Sequence, residues 1–246
     1  MSGAITVRKC LALDEFHHCV ELQREIWGEA DLEVEPATMF VVTTLTGGQV
    51  LGAFDADKLV GYTLAVIGLH DAVPYLHSHM TGVHPDYRDR GVGRLLKLFQ
   101  REDALSRGIR LIVWTFDPLE ARNAHFNLNL LGAIARNYFP NLYGVTSSPL
   151  HRGLPTDRLL AEWHLESARV VAAVSNIEIV PTLPAAKITL PPELPEWQRE
   201  GSAELATVQA RVRQEFAHWL DKGYAAIGFS RKNNESVYLL APWSEF

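Results

Sequence analysis

Apolar and polar positions follow two periods along this chain, and each period marks its elements. Phe16, Cys19, Val20, Gln23, Ile26 and Trp27 recur at helical spacing, with Gln23 the one polar member. A first helix is therefore predicted after Asp14, whose carboxylate suits an N-cap. Gln49–Asp55 and Lys58–Leu69 read as strands joined by a short Asp-Ala-Asp turn, and Tyr75–Val83 as a third strand that Pro85 ends. Val92, Leu95, Leu96 and Phe99 share one face of a helix that runs to about Arg107 and closes at Gly108. Leu111–Phe116 is an unbroken apolar, β-prone run, so a buried strand, stopped by Asp117-Pro118. Another helix is predicted from about Glu120 to Leu131, ending at Gly132.

Strand, strand, strand, helix, strand, helix is the order of a mixed α/β domain. The character of the chain changes near residue 167. Pro181, Pro184, Pro191, Pro192 and Pro195 crowd one stretch, which suits edge strands or linking chain. Leu205, Val208, Val212, Phe216, Trp219 and Leu220 then mark an amphipathic helix. Tyr224–Phe229 and Ser236–Leu240 read as a hairpin around Arg231-Lys232-Asn233-Asn234. The expected organisation is a main domain over residues 1–166 and a small α+β extension over 167–246. The extension either packs on the main domain or forms part of an interface, and a homodimer stays open.

Composition narrows the classes. The chain of 246 residues is 47% apolar and 21% charged, ordinary for a soluble globular protein. A formal net charge of −6 argues against general nucleic-acid binding. Cys10 and Cys19 cannot build a disulfide framework, and Met1-Ser2-Gly3-Ala4 leads into strand-like Ile5-Thr6-Val7-Arg8 without a leader pattern. The apolar runs fall short of the roughly 18 residues of a membrane span. A cytoplasmic location and no membrane partner are expected. No Cys/His cluster has metal-ligand spacing, so no metal is expected, and no serine or cysteine nucleophile motif is present.

The chemistry-bearing stretch is Arg88-Asp89-Arg90-Gly91-Val92-Gly93, between a strand and a helix. Glycines there let backbone N–H groups close around an anion at a helix N-terminus. It is not a P-loop, because no Gly-Lys-Ser/Thr follows at the required spacing. It is not the dinucleotide fingerprint, because Leu96 stands where a third small residue should be. The strand end Gly82-Val83-His84-Pro85-Asp86-Tyr87 running into Arg88–Leu96 resembles the acyl-CoA-binding motif of the GNAT superfamily of N-acyltransferases. Arg88, Gly91 and Gly93 occupy its Gln/Arg-x-x-Gly-x-Gly/Ala positions, and the resemblance covers roughly residues 5–145. The chain also looks like a bacterial branch of predicted acyltransferases with a C-terminal extension, partly through Gly153-Leu154-Pro155-Thr156-Asp157-Arg158.

The resemblance implies a twisted, mostly antiparallel sheet with a splayed strand pair, flanked by helices. It implies acetyl-CoA or another acyl-CoA as donor. Backbone amides from Arg90 through Gly91, Val92 and Gly93 to Arg94 would hold the pyrophosphate, in the turn that Asp89 opens, with charge from Arg88 and Arg94. The pantetheine arm would lie between the strand ending at Val83 and the strand Leu111–Phe116. The Val83 amide would polarise the acyl carbonyl. Asn123 either bonds the pantetheine or makes a local backbone bond at the helix start.

Family chemistry is direct attack of an amine on the thioester. The family often carries its base on the third strand, where alternation sets His77, His79 and Thr81 on one face and Leu76, Ser78 and Met80 on the other. His79 and His77 are the candidate bases, or are histidines with satisfied ring nitrogens. The family's tyrosine acid falls at Leu128, so that acid is absent. Tyr138 and Tyr143 could reach in, or the thiolate leaves unassisted, since a thiol pKa is only about 8.5. Acidic Glu29–Glu35, with Glu33 and Glu35, either lines an acceptor pocket for a cationic amine or is a solvated loop. Asn127 shares a helix face with Asn123 at i, i+4 and could face the cleft. A larger acyl group such as succinyl would want a cation, for which Arg122 or Arg136 could serve.

The expected function is transfer of an acyl group, acetyl by default, to the amine of a small metabolite or amino acid. The alternatives are a CoA-binding sensor or partner subunit without catalysis, and acylation of a protein terminus or lysine.

Overall fold

The computed structural model describes residues 4–28, 34–144, 153–177, 185–232 and 235–243. By its contacts the chain divides into two compact units, with the boundary at Val113/Trp114. That boundary falls inside a strand, well before the compositional change near residue 167, because strands on both sides of 167 hydrogen-bond into one sheet of the later unit.

The first unit holds β1 (Thr6–Lys9), α1 (Leu13–Trp27), α2 (Ala37–Leu45), β2 (Gln49–Asp55), β3 (Lys58–His70), β4 (Val73–Val83), α3 (Val92–Ser106) and the start of β5 (Leu111–Phe116). The strands lie in the order β1-β2-β3-β4-β5, antiparallel except for β4–β5, which is parallel. Each strand alternates between two packed faces. Leu51, Ala53 and Val60 meet Val92 and Leu96 of α3 on one face. Val50, Phe54, Tyr62 and Leu64 meet Phe16, Cys19 and Leu22 of α1 and Phe40 of α2 on the other. Leu51, Leu64 and Leu96 are fully buried; truncating a side chain of that kind costs about 2–5 kcal/mol.

In this unit the predicted helices and strands stand close to their expected bounds, with two differences. The α1 start is not capped by Asp14: Glu15 Oε2 accepts from the amides of Leu11 at 2.8 Å and Ala12 at 3.1 Å, and Ala12 is the cap position. The second difference is α2, unpredicted because its sequence, ATMFVVTTL, is apolar on all sides and rich in β-branched residues. Pro36 precedes its first residue, where a missing N–H costs nothing.

The second unit holds the rest of β5, α4 (Ala121–His125), a single π turn (Phe126–Leu130), β6 (Ile134–Phe139), β7 (Arg158–His164), α5 (Ala168–Val174), β8 (Ala186–Leu190), α6 (Leu194–Glu200), α7 (Glu204–Leu220), β9 (Tyr224–Lys232) and β10 (Glu235–Pro242). Its strands run β7-β6-β9-β10-β8, and the registered pairs are antiparallel. The proline-rich stretch thus contains an edge strand, β8. The turn residues Asn233 and Asn234 of the β9–β10 hairpin lie outside the described residues.

One buried carboxylate ties this unit together. Asp157 is fully buried and accepts from Arg213 of α7 twice, at 2.7 and 2.8 Å, from the Tyr138 hydroxyl of β6 at 2.6 Å and from the Asn141 amide at 3.0 Å. Burial and the carboxylate together raise the Tyr138 hydroxyl far above its ordinary range. Removing one partner of such a pair strands the others in a poorly hydrated site. Asp157→Ala is expected to cost about 3–5 kcal/mol, read as a fall in melting temperature by calorimetry. A melt within about 2 °C of the parent would mean that the pair contributes little.

Candidate active site

Strand β4 carries an extra residue. Its register with β3 runs Thr63↔Thr81, Leu64↔Met80, then Ala65↔Ser78, so His79 is a β-bulge with no residue opposite. The bulge overturns the simple alternation expected for this strand. Ser78 faces α3, where its hydroxyl meets Lys97, while Met80 packs with the α1–α2 cluster and accepts from the Tyr62 hydroxyl at 3.7 Å. Thr81 therefore leaves the face expected for it and pairs with Thr63 at 3.1 Å.

The bulge turns His79 toward the segment between α1 and α2. Its Nε2 lies 2.9 Å from Glu35 Oε1, and the two side chains are 35% and 29% exposed, so solvent and a ligand can both reach them. Glu35 is itself fixed. Its amide donates to Gln23 Oε1 at 2.9 Å, and Gln23 Nε2 donates back to the Glu35 carbonyl at 3.2 Å. Gln23 is the polar residue that interrupts the apolar face of α1, and it is fully buried. With Nε2–H donating to the carboxylate, His79 keeps the Nδ1 lone pair to accept a proton. His77 is half-buried in its strand, and burial first, then the charges of His79 and Lys97, push its pKa down.

The β4–β5 ladder is short. It registers at Leu76↔Ile112 and His77↔Val113, and from Ser78 to Val83 that edge of β4 has no strand partner among the described residues. On the opposite edge the His84 amide donates to Val60 O at 2.9 Å. Backbone groups alternate in direction along an antiparallel strand, so the N–H groups of Thr81 and Val83 point to the unpaired edge. The Val83 carbonyl there accepts from Arg88 Nε at 3.2 Å.

Past β4, Pro85–Tyr87 forms one 3₁₀ turn and the chain reaches α3 through two left-handed residues, Asp89 at φ +61° and Gly91 at φ +78°. Gly91 is the helix cap and has no side chain to satisfy the first-turn amides, which leaves them available to an anion. A Cβ on Gly93 would come within 3.8 Å of Val83 Cγ2, so the helix start is drawn close to the strand end. Arg88, Asp89 and Arg90 are exposed. Arg90 lies 5.1 Å over the Tyr87 ring, whose hydroxyl donates to Asp55 at 2.9 Å.

The remaining candidates lie in the second unit or outside the described residues. Glu33 is among the latter, with Glu29 and Asp31. Asn123 on α4 is exposed, whereas Asn127 is buried and accepts from Trp114 Nε1 at 3.2 Å. The two do not share a face, because the helix widens to a π turn between them. Leu128 is fully buried. Tyr143 was an open possibility in the sequence; its hydroxyl lies 2.8 Å from Thr115 Oγ1 on β5. Arg136 forms a two-point pair with Glu162 at 2.6 and 3.2 Å. Among the described residues no group of three or more potential ligands could hold a metal, and no helix is long and apolar enough to cross a membrane.

The family model for the acetyltransferase (GNAT) family matches residues 16–130, from α1 through the end of the π turn. Over this segment the chain carries a GNAT acetyltransferase domain. The domain is that of an acyl-CoA-dependent N-acetyltransferase. Solved structures agree on the fold. The ribosomal-protein-S18-alanine N-acetyltransferase of Escherichia coli is 13% identical, covers 67% of this chain and 96% of its own, and has a TM-score of 0.52. YncA from Salmonella typhimurium, solved with its cofactor acetyl-CoA, is 19% identical over 68% of this chain and 98% of its own, with a TM-score of 0.52. Arabidopsis thaliana Naa50, in complex with the bisubstrate analogue CoA-Ac-MVNAL, is 12% identical over 64% of this chain and 97% of its own, also at 0.52. No curated protein matches the sequence.

Anion binding by the first-turn amides of α3 is testable at Gly91. A carboxylate there would face such an anion. Gly91→Asp is expected to weaken acetyl-CoA binding by at least about tenfold in calorimetry. Gly91→Asn also tolerates the left-handed backbone but adds no charge, and should stay within about threefold of the parent. Parent-like affinity in both variants would move the anion site elsewhere.

Proposed function

We propose that the protein transfers an acyl group, acetyl by default, from acyl-CoA to the primary amine of a small metabolite or amino acid, within a ternary complex. The observation that carries this reading is the His79–Glu35 pair at the β4 bulge, two to four residues before the outward-facing amides of Thr81 and Val83. Base and oxyanion donor thus sit on one strand that leads directly into the anion cradle.

In this mechanism the first-turn amides of α3 from Gly91 to Arg94, with Arg88 and Arg90 nearby, bind the CoA pyrophosphate. The thioester lies along the unpaired edge of β4, and the Val83 amide donates to its carbonyl oxygen. The amine nitrogen attacks the carbonyl carbon, the C–S bond breaks, and its electron pair stays on sulfur. His79 Nδ1 takes the proton lost by the amine, and Glu35 holds the imidazole in the tautomer and orientation that this needs. The carboxylate also stabilises the imidazolium that forms. Glu35 is therefore better placed to orient the base than to bind the acceptor amine.

A non-catalytic CoA-binding role draws support from one observation: Leu128, at the position of the family's tyrosine acid, is buried in apolar packing. Free-thiol release from acetyl-CoA, measured across a panel of amino acids, polyamines and short peptides, separates the readings. Turnover with a small amine is the expected result. Turnover with peptides alone would overturn the small-acceptor assignment, and binding without turnover on any amine would favour the sensor. His79→Gln is expected to lower kcat by about 10²–10⁴ while leaving the acetyl-CoA Kd within about twofold. Glu35→Gln is expected to lower kcat less, because the base remains.

A further inference from the structure

We infer that Lys97 and Ser78 form a proton relay to the departing thiolate, so that α3 supplies the acid that the Leu128 position lacks. The inference rests on the acyltransferase reading above. Its basis is a buried polar group on the reacting strand which that mechanism leaves unused.

Gly93, Lys97, Gln100 and Ala104 follow one another at i, i+4, i+7 and i+11, and so share a stripe of α3. The stripe is packed: Lys97 is 3% exposed, and Gln100 and Ala104 are fully buried. Lys97 Nζ donates to Ser78 Oγ at 2.8 Å and to Gln100 Oε1 at 3.0 Å. Ser78 is the first residue of β4 beyond the last registered β4–β5 pair, His77↔Val113. It therefore stands where the strand edge becomes free, one residue before the bulge that carries His79. A thioester whose arm enters past Val83 and runs along that edge ends near His79 and Ser78.

A hydroxyl can accept one proton while donating another. Ser78 Oγ accepts from the ammonium, and among the described residues its own hydrogen meets the long 3.4 Å approach to Gln100 Oε1. As the C–S bond breaks, the hydroxyl hydrogen passes to sulfur and a proton from Lys97 Nζ restores the hydroxyl. Lys97 is left neutral and the products are free CoA thiol and the amide. The proton taken by His79 goes to solvent, and Lys97 regains one from solvent between turnovers. The driving force has the right sign. Burial pushes Lys97 down to about 7, below the roughly 8.5 of a free alkyl thiol, whereas an unperturbed lysine near 10.4 would be a poor donor.

On β4, His77 is the ionisable neighbour whose own titration responds to Lys97. Farther along α3, Asp103 is engaged by Lys9 of β1 at 2.5 Å and by Gln49 of β2 at 2.7 Å. Arg8 of β1 pairs with Glu15 at 2.5 Å. On the β2–β3 hairpin, Asp55 accepts from Tyr87, and Lys58 lies over that ring.

The test is the pH dependence of kcat for thiol release with a saturating amine, across about pH 5.5–9. The parent is expected to lose rate above about pH 7 as Lys97 gives up its proton. Lys97→Met is expected to lower kcat by about 10²-fold and to abolish that alkaline fall. Ser78→Ala is expected to do the same, and it is the variant to read should Lys97→Met fail to fold by circular dichroism. Lys97→Arg, whose guanidinium keeps its proton, is expected to lower kcat as Lys97→Met does and to show no alkaline fall in this range. Acetyl-CoA affinity should stay within about twofold in each variant. A merely structural lysine would lower the rate without changing the shape of the profile, so an alkaline fall that persists in Lys97→Met or Ser78→Ala overturns the relay. A parent protein with no turnover on any amine overturns the acyltransferase reading and the relay together, whereas turnover with an unaltered profile in the variants overturns the relay alone.

Discussion

The single unmatched residue in β4 governs the rest of the first unit. An extra residue in one strand flips the faces that follow it and increases the local twist. Before His79, Ser78 points to α3; after it, Met80 points to α1 and α2 and Thr81 returns to the α3 side. The same region ends the ladder with β5, which registers only as far as His77. Three features of the site follow: a histidine turned out of the pleat, backbone amides without a strand partner, and a buried hydroxyl at the fork. A regular β4 would keep its alternation, and His79 would stay in the pleat.

Polar groups inside the core hold that irregularity, and most of their atoms are partnered, with Gln49 Oε1 and Thr43 Oγ1 the exceptions among the described residues of this unit. Gln23 uses both ends of its amide on the backbone of Glu35. Lys97 uses Ser78 and Gln100, and Gln49 donates to Asp103 and to the Gln100 carbonyl. Buried polar groups of this kind add little to stability but specify one arrangement, because each alternative leaves a donor or acceptor unmet. Both faces of β4 are thus pinned by hydrogen bonds as well as by apolar contacts.

The parts that were legible in the sequence are those with a local physical signature. The turn at Arg88–Gly93 was readable because a left-handed residue before a helix nearly demands glycine, and Gly91 adopts φ +78°. β5 and α7 were readable from apolar run and helical period. The bulge was not, because a bulge at His79 leaves no trace in a string whose polar and apolar residues could alternate either way. Gln23 stood out as an exception to its helix pattern, yet its partner Glu35 is 12 residues away and fixed only by the fold. Asn123 and Asn127 misled for the opposite reason. Regular α spacing puts them on one face, and the π turn, which no local signal announces, separates them.

The fate of the family's tyrosine position illustrates how the extension constrains chemistry. Leu128 is not simply a lost hydroxyl. Its carbonyl accepts from Arg169 Nη2 of α5 at 2.8 Å, and the same guanidinium donates from Nε to Gly132 O at 3.0 Å and reaches the Ile227 carbonyl of β9. Gly132 cannot take a side chain, since a Cβ there would stand 3.0 Å from the Arg169 carbonyl and from the Ala173 side chain. Helix α5 and strand β9 therefore grip the end of this helix through its last carbonyls. A tyrosine introduced at 128 would have to displace buried packing to free its hydroxyl, so Leu128→Tyr alone would not supply an acid. A chain committed to this packing must either release the thiolate unaided or draw its proton from another element.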